Sequence, residues 1–310
     1  MAILFVFLDG VGIGPPTLNN PLSTREWPAM ARLAGDQPWV APFRSVTSDL
    51  LVVRAIDATL GVEGLPQSGT GQATLFTGVN CAERVGRHFG PYPHSTTHEI
   101  LRDHNLFRRV EDASTPVNGQ THAATFANAY PDGFFDWVSG RRRWTVTTFA
   151  AVETGLSIRG SEELARGAAV AANITGEGWP DPDPVIGPIP ETEAASNVLR
   201  LHRRHRLTLF EYYLTDKAGH GRLEVPAESV IASVGRLLGA ILDGLDASKD
   251  TLIVTSDHGN IEDLGQKQHT RHPVPFIVWG YGASHFGNVE TLQDVTPAIQ
   301  RLLSRTGSDI

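Results

Sequence analysis

A chain of 310 residues is long for one plain domain and suggests a core carrying one elaboration. Its 41% hydrophobic, 19% charged and 8% aromatic residues are those of an ordinary globular protein, which argues against a disordered or membrane-embedded chain. A formal charge of −8 argues against nucleic acid or an anionic membrane surface as the main partner.

The chain opens MAILFVFLDG, with no basic n-region and an aspartate at position 9, so it reads as a first strand and not as a signal peptide. No apolar run approaches the ~20 residues of a membrane helix. The lone Cys81 leaves no intramolecular disulfide and suits a reducing compartment; a cytoplasmic enzyme is the expectation. Residues 2–8 form a continuous apolar run, the pattern of a strand buried on both faces of a parallel sheet. WPAMARLAG (27–35) reads as a short helix, and LLVVRAI (50–56) as a strand or a buried helix segment. GLPQSGTGQATLFTGVN (64–80) reads as a loop feeding a helix.

From about 85 to 195 the texture changes to Arg, His, Thr, Gly and Pro, ending in the proline-rich GWPDPDPVIGPIPETE (178–193). The α/β rhythm then resumes. RLTLFEYYLTD (206–216) is expected to be a strand ending in an acid, and ESVIASVGRLLGAILDGL (228–245) an amphipathic helix. TLIVTSDHG (251–259) and PVPFIVWG (273–280) are further strands, and TLQDVTPAIQRLL (291–303) a closing helix. The architecture predicted is α/β, a doubly wound, mostly parallel sheet with helices on both faces. Residues 1–84 and 200–310 form the core, and 85–199 form an inserted α+β cap.

Three predicted strands end alike, at Asp9, at Asp216 and at Asp257-His258. Ligands of open parallel sheets bind outside the carboxyl ends of the strands. Three carboxylates delivered to one edge repel each other unless a positive charge sits between them, and a divalent cation supplies it most directly. Asp216 and His220 have the spacing that lets both reach one ion if the chain turns helically there. His269 and His272, in a loop before a strand, could add a nitrogen. Each feature alone has a plainer reading: Asp9-Gly10 and Asp257-His258-Gly259 as turns, His269 and His272 as surface residues flanking a proline. Their conjunction at one predicted edge is what points to metal.

FLDGVGIG (7–14), QSGTGQ (67–72), TDKAGHG (215–221), SDHGN (256–260) and HTRHPVP (269–275) together resemble the alkaline phosphatase superfamily, within it the branch of cofactor-independent phosphoglycerate mutase and phosphopentomutase. The resemblance implies two divalent metal ions, Mn²⁺ or Zn²⁺ with Mg²⁺ less suited. Asp9, Asp257 and His258 resemble the ligands of one ion, with the nucleophile's oxygen beside them. Asp216, His220 and His269 resemble those of the other. His272 stands where these mutases usually carry asparagine and is a reserve ligand or a neighbour of the ligands. Ser68 occupies the nucleophile position, with Thr70 as runner-up; the plain alternative makes Ser68 a helix N-cap. Glycines after it would let backbone N–H groups approach a phosphoryl group.

The implied function is phosphoryl transfer through a phosphoserine on a small phosphorylated metabolite, as a phosphomutase or phosphomonoesterase. The alternatives are a phosphodiesterase or nucleotide pyrophosphatase on the same core, or a non-catalytic metal-binding relative. SGTG lacks the proline and arginine of the sulfatases, which disfavours sulfate transfer. No arginine-rich stretch like that of phosphoglycerate mutases is present. The candidates for substrate contact are Lys217, Arg84, Arg87 with His88, and Arg141 and Arg143 of the run Arg141-Arg142-Arg143. FANAYPDGFF (126–135) is expected in the cap core, and RLHRRHR (200–206) at a surface helix end.

Overall fold

The computed structural model describes residues 1–117, 119–141 and 143–306. Its strands are β1 (Ala2–Leu8), β2 (Val46–Thr47), β3 (Leu51–Ile56), β4 (Ala124–Phe126), β5 (Asn128–Ala129), β6 (Val170–Ala171), β7 (Leu207–Tyr212), β8 (Asp250–Thr255) and β9 (Val274–Gly280). Seven form one sheet in the order β2-β3-β9-β8-β1-β7-β4, while β5 and β6 pair separately. β8, β1, β7 and β4 are mutually parallel; β9 enters antiparallel to β8, and β3 antiparallel to β9. β3 therefore runs with the parallel set, and the open choice at residues 50–56 resolves as strand. The antiparallel entry of β9 brings its first residue to the edge where β8 ends, since Thr255 pairs with Phe276.

β1 shows why an unbroken apolar run is needed at the centre. Ile3, Phe5 and Phe7 face one core, and Leu4, Val6 and Leu8 face the other, all fully buried or nearly so. On the Phe5 side lie the helices Ser68–Thr77 and Val295–Thr306. On the Leu4 side lie Pro28–Leu33, Glu191–His202 and Ala227–Gly244. The last helix buries Val230, Ile231, Val234, Leu237, Leu238, Ile241 and Leu242, an i, i+3/i+4 stripe packed on its neighbour Glu191–His202.

Residues 85–199 do not stand apart from this core as a whole. β4 extends the large sheet beside β7, covering an edge that would otherwise present unpaired backbone groups. Leu101, Phe107, Val110, Val146 and Ala150 join the same apolar cluster as Phe5 and Phe7. Phe126 and Tyr130 of FANAYPDGFF are members of that cluster too, which corrects their expected place in a separate cap core. A small independent cluster, Ala129, Leu164, Ala169 and Ala171, lies around β5 and β6.

One other expectation is corrected. β7 stops at Tyr212, so Asp216 does not end a strand but sits inside the short helix Leu214–Gly219. RLHRRHR lies at a helix end as expected, where Glu191–His202 stops; Arg200, Arg203 and Arg204 are exposed, while Leu201, His202 and His205 are buried, with His202 Nε2 3.1 Å from Asp250 Oδ1.

Candidate metal centre

The carboxyl ends of β1, β7 and β8 and the loop before β9 converge on one edge. Asp9 follows β1 directly and Asp257-His258 follow β8 after Ser256. The helical turn after β7 puts Asp216 and His220 one turn apart, with Asp216 Oδ2 3.4 Å from His220 Nε2. His269 Nε2 lies 3.4 Å from Asp216 Oδ1 and 3.1 Å from His220 Nε2. His258 Nε2 lies 3.3 Å from Asp9 Oδ1 and 3.5 Å from Asp257 Oδ2. Donor atoms cluster within 4.8 Å as Asp216, His220 and His269 and as Asp9, Asp216 and His258. Asp216 therefore reaches both groups, a bridging place that the sequence did not reveal.

All three histidines carry Nδ1 against a backbone carbonyl: His269 against Pro66 at 2.7 Å, His220 against Lys267 at 2.8 Å, His258 against Gly259 at a longer 3.4 Å. A carbonyl only accepts, so each Nδ1 carries a proton and each Nε2 is the nitrogen turned inward, a lone pair when the ring is neutral. Two such lone pairs 3.1 Å apart, as at His220 and His269, require a proton or a cation between them.

The acids make the same demand. Asp9 Oδ1 and Asp257 Oδ2 are buried and accept no hydrogen bond. Burial, reinforced by the charges of Asp257 and Asp216, pushes the Asp9 carboxyl well above its ordinary range. Burial also lowers the imidazole of His258, against the pull of Asp257, and so keeps it neutral and able to ligate. At Asp216 burial works upward too, but hydrogen bonds from His269 and Asn260 outweigh it and hold the carboxyl down. Unpartnered buried oxygens and inward lone pairs in one place fit divalent cations held by mixed carboxylate and imidazole donors.

Ser68 is the first residue of the helix Ser68–Thr77, and Gln67 is its N-cap. Ser68 is therefore not the N-cap; its Oγ lies 2.9 Å from His258 Nε2. Thr70 is fully buried and its hydroxyl is engaged with Phe89, accepting from Phe89 N at 3.1 Å. The glycines of SGTG have a packing reason of their own. A Cβ at Gly69 would meet Tyr92 O at 2.2 Å, and one at Gly71 would meet Asp257 O at 2.9 Å. They let the 89–92 loop and the end of β8 press directly against the start of this helix.

A cavity of about 410 Å³ opens over Ser68, Asp216, His220 and His269, and Arg222 and Lys267 line it. Neither cation stands out in the sequence, although Arg222 lies two residues after His220 and Lys267 two before His269. The cationic residues that do stand out are not among those lining this cavity. Lys217 Nζ sits 4.6 Å above the Tyr213 ring, Arg87 lies over Phe89, and His88 Nε2 is 3.3 Å from Val62 O. Arg84 is exposed on the helix Cys81–Val85. Arg141 covers Trp137 and Arg143 covers Tyr92, whose rings stack with centroids 5.9 Å apart; Arg142 lies outside the described residues. His272 does not reach the cluster: its Nδ1 lies 3.1 Å from Glu262 Oε1.

The fold is one shared with alkaline phosphatase, and the stretch that carries most of the cluster is similar to known metalloenzymes. Residues 190–305, which carry every metal candidate except Asp9, match the family model of the Metalloenzyme superfamily. Among curated relatives, the 2,3-bisphosphoglycerate-independent phosphoglycerate mutase of Pseudomonas fluorescens is 29% identical over 109 residues, covering 33% of this chain and 21% of that enzyme. The enzyme of the same name from Thermomicrobium roseum is 30% identical over 126 residues, covering 37% and 24%. The similarity thus spans about a quarter or less of these relatives' length. Among solved structures, the PH0037 protein of Pyrococcus horikoshii aligns over 98% of this chain and 97% of its own at a TM-score of 0.56 and 15% identity. The alkaline phosphatase of the Antarctic bacterium TAB5 aligns over 98% of both chains at 0.51 and 11% identity. At such identities the likeness is one of fold. No helix among the described residues is long and apolar enough to cross a membrane.

Proposed function

We propose that this chain is a metal-dependent phosphoryl-transfer enzyme, a phosphomutase or phosphomonoesterase, that works through a phosphoserine at Ser68 on a small phosphorylated metabolite. The observation that carries this reading is the Ser68 hydroxyl, one position past the N-cap and held 2.9 Å from His258 Nε2 among buried carboxylate oxygens that have no donor. The similarity to phosphoglycerate mutases supports a phosphorylated substrate.

Asp9, Asp257 and His258 would hold one divalent cation beside Ser68, and Asp216, His220 and His269 a second, with Mn²⁺ or Zn²⁺ the ions such a donor set suits. When bound, the ions favour the serine alkoxide and offset charge on the phosphoryl oxygens. The 2.9 Å approach of Ser68 Oγ to His258 Nε2 sets the serine oxygen beside that lone pair, so that a bound cation would be met by both. The N-terminus of the Ser68–Thr77 helix adds partial positive charge there, and Arg222 and Lys267 give the cavity wall two cationic groups for anionic oxygens. Ser68 Oγ forms the new bond to phosphorus as the bond to the substrate oxygen breaks, and that oxygen leaves with a proton. Water then releases phosphate, or a second hydroxyl of the same substrate takes the group.

The test is turnover of an aryl phosphate with added Mn²⁺, together with Mn²⁺ binding, in the parent and in Ser68→Ala. The expected result is a loss of about 10³-fold or more in turnover with binding retained. Equal turnover in the two proteins would sink the nucleophile assignment.

A further inference from the structure

Glu262 stands outside the metal cluster, yet its carboxylate touches three of the segments that build it. The side chain is buried, 1% exposed. Oε2 accepts from Gly12 N at 2.9 Å and Asn260 N at 2.7 Å. Oε1 accepts from the Thr270 hydroxyl and lies 3.1 Å from His272 Nδ1. Gly12 is three residues beyond Asp9, Asn260 is two beyond His258, and Thr270 adjoins His269. One side chain thus joins the loops after β1 and β8 to the loop before β9.

The contact is as close as the backbone permits. A Cβ at Gly12 or at Gly259 would lie 2.2 Å from Glu262 Oε1, so side chains at these positions would displace the carboxylate. Four donors with none competing call for an acceptor on both oxygens, which an ionised carboxylate provides and an amide provides on one side only. Hydrogen bonds that orient ligands from outside a metal site commonly govern its affinity by ~10–100-fold.

We propose that Glu262, with His272 as its partner, is a positioning residue that sets metal affinity by locking three ligand-bearing loops in register; this rests on the metal reading above. His272 acts through Glu262 and not as a ligand. A purely architectural Glu262 would instead support the fold without altering the affinity of folded protein.

The experiment is calorimetric titration of the chelator-stripped full chain with Mn²⁺, for the parent, Glu262→Gln, Glu262→Ala and His272→Ala. Thermal melting in chelator monitors the fold of each. The lock predicts affinity about 100-fold weaker in the alanine variant at 262 and about 10-fold weaker in the glutamine variant. The glutamine amide oxygen can keep Gly12 and Asn260 while its NH₂ meets Thr270, so this variant carries the test if the alanine variant fails to fold. His272→Ala should weaken binding several-fold with unchanged stoichiometry. Parental affinity in the folded Glu262→Gln and His272→Ala variants would overturn the proposal, as would loss of a whole equivalent of metal in His272→Ala. A parent that takes up no Mn²⁺ or Zn²⁺ would overturn the metal reading itself, and the lock with it.

Discussion

The two halves of the candidate metal centre are built from the same residue types but sit in different media. Asp257 and His258 are completely buried beneath the start of the Ser68–Thr77 helix, whereas Asp216 and His220 keep 15–16% of their side-chain surface and face the cavity. Water and neighbouring donors can compensate the open half, and Asp216 is held ionised by His269 and Asn260. The buried half has no such relief, and its acid Asp9 is driven toward the protonated form. Polar groups without partners inside a protein are costly, so the inner half depends more on a bound cation than the outer half does.

That contrast can be broken experimentally. The largest effect is expected from ligand removal on the inner side. Asp257→Asn should lower Mn²⁺-dependent turnover by about 10³-fold, while His220→Ala should cost about 10–100-fold, measured as kcat/KM on one aryl phosphate. Equal losses would erase the distinction between the halves.

Next comes Glu211, fully buried on β7 and pushed up to about 8 by burial and then by the charge of Asp257. A folded-state value above the unfolded one means the folded state binds the proton more tightly. Its contribution to stability is full below about pH 4.5 and is lost as pH rises through about 8. Glu211→Gln, which does not titrate, should gain a few kcal/mol on the parent between pH 5 and 9. Parallel unfolding free energies for the two proteins across that range would rule this out.

A smaller change is expected at Asp9. Asp9→Asn removes a buried acid crowded by Asp257 and Asp216, and should raise the stability of metal-free protein at neutral pH by about 1–2 kcal/mol. The same variant should lose the stabilisation that Mn²⁺ gives the parent, read from melting with and without chelator. The smallest effect belongs to the cavity wall, where Arg222→Ala should raise KM several-fold, about 1 kcal/mol, with little change in kcat. A selective fall in kcat would move Arg222 from binding into the chemical step.

Much of this site was legible along the chain because its chemistry lies at strand ends. An apolar run such as AILFVFL declares a buried strand, and the side chains just beyond its end are delivered to a known edge of the sheet. Asp9, Asp257 and His258 were readable in that way, and the i, i+4 spacing by itself pairs Asp216 with His220. Arg222 and Lys267 were not readable as cavity residues, since a cation beside a motif is more often solvated. Glu262 was missed for another reason. Its role depends on Gly12, Thr270 and His272, which are close only once the loops fold, and no local pattern marks such a contact. The RRR run drew attention through composition, yet Arg141 and Arg143 rest on Trp137 and Tyr92.

Periodicity and the order of motifs along the chain determined by themselves the α/β class, the edge at which chemistry gathers and the residue types that gather there, because these depend on local pattern. The tertiary structure alone decided that Asp216 reaches both halves of the cluster and that β4 and its helices join the main core. It alone decided, too, that three loops close on one carboxylate. Those outcomes depend on distances between residues as much as 250 positions apart, as between Gly12 and Glu262, and only packing sets such distances.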